Sequence, residues 1–463
     1  MFSFFQVNDP FRLIGVAVYV ILISVIYLVF FPFPVTEPTL LWMVLGERLN
    51  DGLILYRDVI DDTGPLSAGF FSFMDWVFGR NQTAYEIVGR LIILFQIFHW
   101  NSTLLRYRVF DDNTYLPAIF MAAMFHFSFD MLSLSPSLLG STFLVLALGQ
   151  LFSQTVLQKE TSESTLLIGI YGGLAAGFHL HFIIFLPYIL FTGIVISGFS
   201  LRQILLAITG FMLPVVLILV FYFWNNALPD LLDILPVLFT YPKYSYQSII
   251  SWLIPASVPL ILATIGLFAS TFFRGATINQ QKQRQLIVLW MIFSALVFLI
   301  IKKQASYQLV VFIPGLSYLL TQFSLNFKSS ALGKLGFYLI FLGMPVVGVW
   351  YWQSQSQNFN HYFVNEAPEF KNVQGKEILV MGDNSHPYLY GKLGGPFLNF
   401  HLSKEYLQEE KSLESKTRIY RKINRQKPEI IFDPEGFFKE FMEEFPATKA
   451  WYLEKEKGVF LLK

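Results

Sequence analysis

Long apolar runs interrupt the polar positions of this chain at roughly 13–33, 85–105, 115–134, 137–157, 165–182, 183–199, 203–224, 249–272, 286–301, 307–325 and 335–353. A helix needs about 20 apolar residues to cross the hydrocarbon core of a bilayer. The pattern therefore predicts a polytopic α-helical membrane protein with about 11 transmembrane helices. The stretch 165–199 is one continuous run that must turn near Phe185–Pro187. The first run is too long for a signal peptide and has no small-residue cleavage site, so it reads as an uncleaved anchor. After residue 354 the period changes. Strands are read at 376–381, 428–432, 449–453 and 458–462, with a polar helix at about 403–426 and another near 435–444. That alternation describes a small α/β domain.

The charges between the runs set the orientation. With alternating crossings, Arg12, Arg106, Arg108, Lys159, Arg202, Arg274, Lys282, Arg284, Lys328 and Lys334 fall on one side, which is then cytoplasmic. The outer side carries the loops 34–84 and 225–248, the link after Lys302 and everything after residue 354. The expected organisation is a membrane module over 1–354, with 34–84 as its extracytoplasmic loop, and an extracytoplasmic α/β domain over 355–463. The expected location is a bacterial inner membrane, with the N-terminus cytoplasmic and the C-terminal domain periplasmic. Within the loop, residues 38–50 place Leu40, Leu41, Val44 and Leu45 at helical spacing, which predicts a helix lying on the membrane surface. Asp62-Thr63-Gly64-Pro65 is a turn, and a second interfacial stretch follows at 66–78.

Composition sharpens this picture. The 463 residues are 54% hydrophobic and only 14% charged, against roughly 25% charged in a soluble domain. That excludes a string of soluble domains and a disordered chain. The average hides two populations: of 65 charged residues, 32 lie in 355–463, so the bundle is poorer in charge than the mean implies. A net charge of +1 gives no electrostatic footprint for nucleic acid. With no Cys, disulfides, thiolate zinc sites, iron–sulfur clusters and Cys nucleophiles are all excluded.

The few charges of the bundle are unevenly placed. Glu37, Glu47, Asp51, Asp58, Asp61 and Asp62 crowd into the first outer loop, against Arg48 and Arg57. Carboxylates at a membrane surface can act as general bases or hold a divalent cation; the plain alternative is a solvated loop. Lys302 and Lys303 sit at the outer face, against the positive-inside bias, and a lipid phosphate would give them a reason to be there. The alternative is a pair of snorkelling lysines. His126 and Asp130 are four apart on the expected third crossing and would share one helix face. An ionisable pair in a membrane is a site candidate, with a structural hydrogen bond as its rival. His179 and His181 would point about 200° apart on a helix and read as packing residues. Gly391-Lys392-Leu393-Gly394-Gly395 has neither a phosphate-loop nor a dinucleotide pattern.

The order of the loop residues resembles the first extracytoplasmic loop of the GT-C glycosyltransferases, the polytopic enzymes that include protein-mannosyltransferase and aminoarabinose-transferase relatives. Gly52, Tyr56, Asp58, Asp61, Pro65, Leu66, Phe78, Gly79 and Arg90 match that loop in order. Thr36 stands where the family's first acid is usual, and Glu37 keeps the second. Farther on, Lys302-Lys303, Ser306-Tyr307 and Pro314 resemble the family's Lys/Arg, His-Tyr and apolar helix with Pro, with Ser306 replacing the His. The family's second acid, near the junction of its third and fourth helices, is absent from Ser133–Gly140, which leaves Asp130 as the nearest substitute.

The resemblance implies an inverting transfer of a sugar from a polyprenyl-phosphate donor to an acceptor hydroxyl at the outer membrane face. Glu37 would be the catalytic base, with Asp58 as its backup. Arg90, Lys302, Lys303, Tyr307, Tyr56, Asp61, Asp130 and His126 would contact substrate. The implied partners are membrane lipid, the lipid-linked sugar and an acceptor that is a protein, a lipid or a glycan. No cofactor is required by the pattern, a divalent cation is compatible with it, and no metal ligands are assigned. Thr36, Ser306 and the missing second acid also fit a degenerate GT-C-like scaffold or assembly partner in the cell envelope. A transporter would be expected to show inverted repeats and broken polar helices, and no repeat is seen in the sequence.

Overall fold

In hydrocarbon every backbone N–H and C=O must find a partner within the chain, so apolar runs of this length fold as helices. The computed structural model describes residues 2–7, 9–157, 162–272, 275–358, 362–408 and 413–463. Lys159 and Arg274, counted above among the inner charges, lie outside the described residues. Among those residues eight helices are long and apolar enough to cross a membrane: Phe11–Phe30, Gln82–Arg106, Pro136–Val156, Leu180–Ser197, Leu201–Trp224, Ile249–Phe272, Ile278–Ile300 and Ser306–Asn326. Ala331–Phe341 and Gly343–Gln355 make a ninth if their 41° bend is one broken span. The protein is thus an integral membrane protein.

Two of the expected crossings differ from the sequence pattern. The run 115–134 yields only the ten-residue helix Leu116–Phe125, followed by a single 3-10 turn, Phe129–Leu132. Ten residues span about 15 Å, half of a bilayer core. The polar Ser128, Asp130 and Ser133 lie inside the run, and Pro136 disfavours helix at the residue before it. The run 165–199 does turn, but at His179 rather than near Phe185–Pro187: the helix Ser162–Phe178 ends there and the next segment begins at Leu180. Pro187 falls in the first turn of the helix Phe185–Thr192, where its missing N–H costs little.

The chain divides into two compact units. The first comprises Met1–Phe33, Tyr85–Leu217 and Gln247–Asn358. Glycines bring its helices close. A Cβ on Gly169 would lie 2.1 Å from the Ala207 carbonyl oxygen, and one on Gly173 would lie 2.3 Å from that of Phe211. The helix Ser162–Phe178 therefore meets Leu201–Trp224 backbone to backbone, as small residues allow in membranes.

The second unit comprises Pro34–Ala84, Ile218–Tyr246 and Phe359–Lys463. Its sheet has five strands in the order Lys392–Leu393, Glu377–Val380, Ile430–Phe432, Val459–Leu462, Tyr452–Glu456. The first three are parallel and the last two pair antiparallel, with Ile378 opposite Ile430 and Ile431 opposite Phe460. A separate two-strand ladder pairs Val35 with Val364 and Thr36 with Phe363. Directly after it comes the helix Glu37–Asn50, capped by Thr36 Oγ1, which accepts from Thr39 N at 3.4 Å. This helix is not laid on the membrane surface as its spacing suggested. Leu40 to Leu45 are all at most 4% exposed. Gly46 permits the burial: a Cβ there would sit 2.4 Å from the Phe71 carbonyl oxygen of the helix Pro65–Phe78. Trp42 stacks on Phe71 with ring centres 5.5 Å apart.

A side chain at the Gly173 crossing has no room, so Gly173→Leu is expected to lose about 1–3 kcal/mol or more through overpacking. Gly343, with nothing within 4 Å of its Cβ position, supplies the control. Thermal unfolding in detergent should show a lower midpoint for Gly173→Leu and little change for Gly343→Ala; equal midpoints would contradict the close crossing.

Candidate functional site

The outer loop's acids separate into two kinds. Asp58 and Asp61 are buried and hold a turn. Asp58 Oδ2 accepts from Ile54 N at 3.0 Å and from Arg57 Nε and Nη2 at 2.9 and 2.7 Å. Its backbone oxygen accepts from Gln426 Nε2 at 3.0 Å. Asp61 Oδ2 accepts from Thr63 N at 3.0 Å and from the Thr63 hydroxyl. Tyr56, between these segments, adopts a left-handed φ of +69°, which is uncommon for a bulky side chain. Its hydroxyl donates to Thr63 O at 2.7 Å, and its carbonyl accepts from the buried Lys422 Nζ at 2.9 Å. Lys422 pairs with Asp230 at 2.9 Å; burial lowers its ammonium pKa, against the opposing pull of Asp230. Tyr56, Asp58 and Asp61, read above as site residues, thus have structural work in this turn.

Glu37, Glu47 and Asp62 are part-exposed and Asp51 is exposed; Glu47 pairs with Arg80 and Lys392, and Asp51 with Arg48. Glu37 follows the Val35–Thr36 ladder. Its N–H donates to Tyr362 O at 2.9 Å, and Ser385 Oγ donates to its Oε1 at 2.6 Å. Asp62 Oδ2 accepts from Tyr241 OH at 2.9 Å. Both carboxylates act on Tyr244. Burial, the adjacent Tyr246 and the charges of Asp62 and Glu37 push the Tyr244 phenol well above the usual tyrosine range. It therefore stays protonated, and two carboxylates lie within electrostatic reach of one hydroxyl donor. His401 stacks on the Tyr244 ring, with centres 3.8 Å apart, and its Nε2 lies 3.1 Å from Asp383 Oδ1. Tyr241, Tyr244, Ser385 and His401 were not singled out from the sequence. The only local signal was the run of tyrosines at 241, 244 and 246 in an outer loop.

In the membrane unit, His126 and Asp130 do not share a helix face, because the helix stops at Phe125. His126 is fully buried, with Nδ1 2.7 Å from Ala122 O and its ring edge-on to Tyr19 and Tyr27. Asp130 belongs to a buried network. Its Oδ1 accepts from Ser128 Oγ at 2.7 Å, and its Oδ2 accepts from Ser306 Oγ at 2.7 Å and Tyr307 N at 3.0 Å. Trp352 Nε1 donates to Ser128 Oγ at 2.8 Å. Gln247 Oε1, 3.2 Å from Ser306 Oγ, accepts from Trp252 Nε1 and Tyr351 OH at 2.7 and 2.9 Å. The serine that replaces the family's histidine is thus a short donor to a buried carboxylate, and Tyr307 contributes its backbone amide.

Arg90 is buried within the span Gln82–Arg106, with Nη1 3.0 Å from Glu86 O and 3.6 Å from Glu86 Oε2. Lys303 is buried, and its carbonyl accepts from Gln308 Nε2 at 3.4 Å; Lys302 beside it is part-exposed. Gln308 Oε1 takes hydrogen bonds from Ser137 Oγ and from His179 Nε2, the latter at 3.0 Å. His179, read as a packing residue, has this polar contact as well, and its ring lies 5.5 Å from that of His181. Among the described residues no three His, Asp or Glu side chains are grouped as metal ligands.

No protein-family model and no curated protein sequence matches the chain. Solved structures do match in fold. The crystal structure of ArnT from Cupriavidus metallidurans in the apo state is similar over 97% of this chain and 98% of that one, with a TM-score of 0.53 and 13% identity. The structure of ArnT from the same organism bound to undecaprenyl phosphate covers 98% of each chain, with a TM-score of 0.52 and 12% identity. At that identity the likeness is one of fold. Together with the apolar spans and the small C-terminal sheet, it shows that this chain has a polytopic, ArnT-like membrane fold.

Proposed function

We propose that the protein is a membrane glycosyltransferase that moves a sugar from a polyprenyl-phosphate donor to an acceptor hydroxyl at the outer face of a bacterial inner membrane. The fold likeness to ArnT, one of whose structures holds undecaprenyl phosphate, supports the reaction class. One observation carries the reading: Glu37 is part-exposed and held in place, its N–H donating to Tyr362 O at 2.9 Å and Ser385 Oγ donating to its Oε1 at 2.6 Å.

In this reading Glu37 is the general base. It takes the proton of the acceptor hydroxyl as that oxygen attacks the anomeric carbon. The carbon–oxygen bond to the lipid phosphate breaks, and its electron pair leaves with the phosphate. A single displacement inverts the anomeric centre. Charge develops on the leaving phosphate, and cations stabilise such charge. Asp58 is not needed as a backup base, since its carboxylate already serves Arg57 and Ile54.

A second reading has its own support. Asp58, Asp61 and Asp130 are all used by the fold, and Ser306 offers no imidazole, as in a scaffold that has lost its chemistry. Purified protein assayed with a panel of polyprenyl-phosphate sugars separates the two. The enzyme reading expects transfer by the wild type and a loss of about 10²–10⁴-fold in Glu37→Gln, with the melting midpoint kept. No transfer across the whole panel would favour the scaffold, and equal transfer by both proteins would remove Glu37 as the base.

Asp130 gives an independent check. An amide in its place would set a donor against Ser128, Ser306 or Tyr307 N, so Asp130→Asn is expected to lower stability by about 1–3 kcal/mol. Thermal unfolding measures this. Unchanged stability with lost transfer would instead make Asp130 a substrate contact.

A further inference from the structure

We infer that Tyr244 and His401, with Asp383 holding the imidazole, form an aromatic platform for the acceptor, and that the acceptor is a saccharide. This rests on the glycosyltransferase reading above and narrows it. The platform is built in layers. Tyr362 and Tyr246 are buried, at 0% and 8% exposure, with ring centres 5.0 Å apart. Tyr246 meets Tyr244 edge-on at 5.3 Å. Tyr244 and His401 lie at 3.8 Å with 26° between their planes, and both are part-exposed. The Asp383 carboxylate, 3.1 Å from His401 Nε2, fixes the imidazole in that stack. Buried rings thus brace an accessible pair.

The surroundings select the ligand. A pyranose has one face of C–H groups and a rim of hydroxyls. The C–H face packs on an aromatic ring, which offers rigid apolar area at little entropic cost. The rim hydroxyls need acceptors, and the same unit supplies the part-exposed carboxylates of Asp62, 2.9 Å from Tyr241 OH, and of Glu37, 2.6 Å from Ser385 Oγ. A serine or threonine of a polypeptide has no flat apolar face to place on the stack. A lipid chain would not be matched by carboxylates. The combination of ring face and carboxylate edge corresponds to the two surfaces of a sugar, in the manner of sites with an apolar wall and a few placed polar groups.

The test is saturation-transfer NMR on the detergent-solubilised full chain with no lipid donor present. The probes are methyl glycosides of hexoses and N-acetylhexosamines, with a serine- and threonine-rich peptide as the comparison. The expected result is saturation of ring C–H protons of at least one glycoside. It should fall about tenfold in Tyr244→Ala and in His401→Ala and persist in Tyr244→Phe, which keeps the ring. Thermal unfolding of each variant guards against simple misfolding, and His401→Ala serves if Tyr244→Ala does not fold. Three results would overturn the inference: saturation of the peptide with none of the glycosides, equal glycoside saturation in the alanine variants, or no saturation of any probe. Glycoside binding without transfer would leave the platform standing and remove the donor reading. Transfer that ignores Tyr244 would do the reverse.

Discussion

The ladder of Val35–Thr36 with Phe363–Val364 is the contact on which the rest of the second unit depends. It joins the start of the first outer loop to the start of the C-terminal tail. Two residues on each side make a weak ladder alone, so its neighbours matter. Thr36 leaves the ladder to cap the helix Glu37–Asn50, and the Glu37 N–H continues the pairing to Tyr362 O. The position of the Glu37 carboxylate is therefore set by backbone bonds on both sides, and Ser385 orients it. The Gly46 crossing locks the far part of the same helix. A group proposed as a base is held on rigid backbone rather than on a mobile loop tip.

The spans were readable from sequence because lipid leaves a backbone no choice but the helix. The exceptions have local causes. Ser128 and Asp130 offer side-chain hydrogen-bond partners inside an apolar run, and the helix gives way to a 3-10 turn stapled by Asp130. In the tail, the β-branched runs around Ile378 and Ile430 marked their strands. The strand Lys392–Leu393 was hidden by its length and by the glycines flanking it. Glu37 was legible through its place in a loop pattern. Asp58 and Asp61 were legible as acids but not as turn builders, because their partners Gln426 and Thr63 become apparent only in the fold. Tyr244 and His401 come from distant parts of the chain, and no spacing rule joins them.

Buried and part-exposed polar groups divide the labour. Desolvation makes an unpaired buried carboxylate costly, so Asp58, Asp61 and Asp130 each collect two or more donors. Groups occupied in this way hold turns and helix ends in place. Glu37 and Asp62 keep some exposure while accepting from Ser385 and Tyr241. Ser306 fits this division: its small hydroxyl bonds to Asp130 and Gln247 without the bulk of an imidazole.

The central claim is a single displacement assisted by a carboxylate of the outer loop. The anomeric configuration of the product tests it most directly. With a polyprenyl-phosphate sugar of known anomer as donor, NMR of the purified product should show the opposite anomer. Retained configuration would require two displacements and would contradict this account.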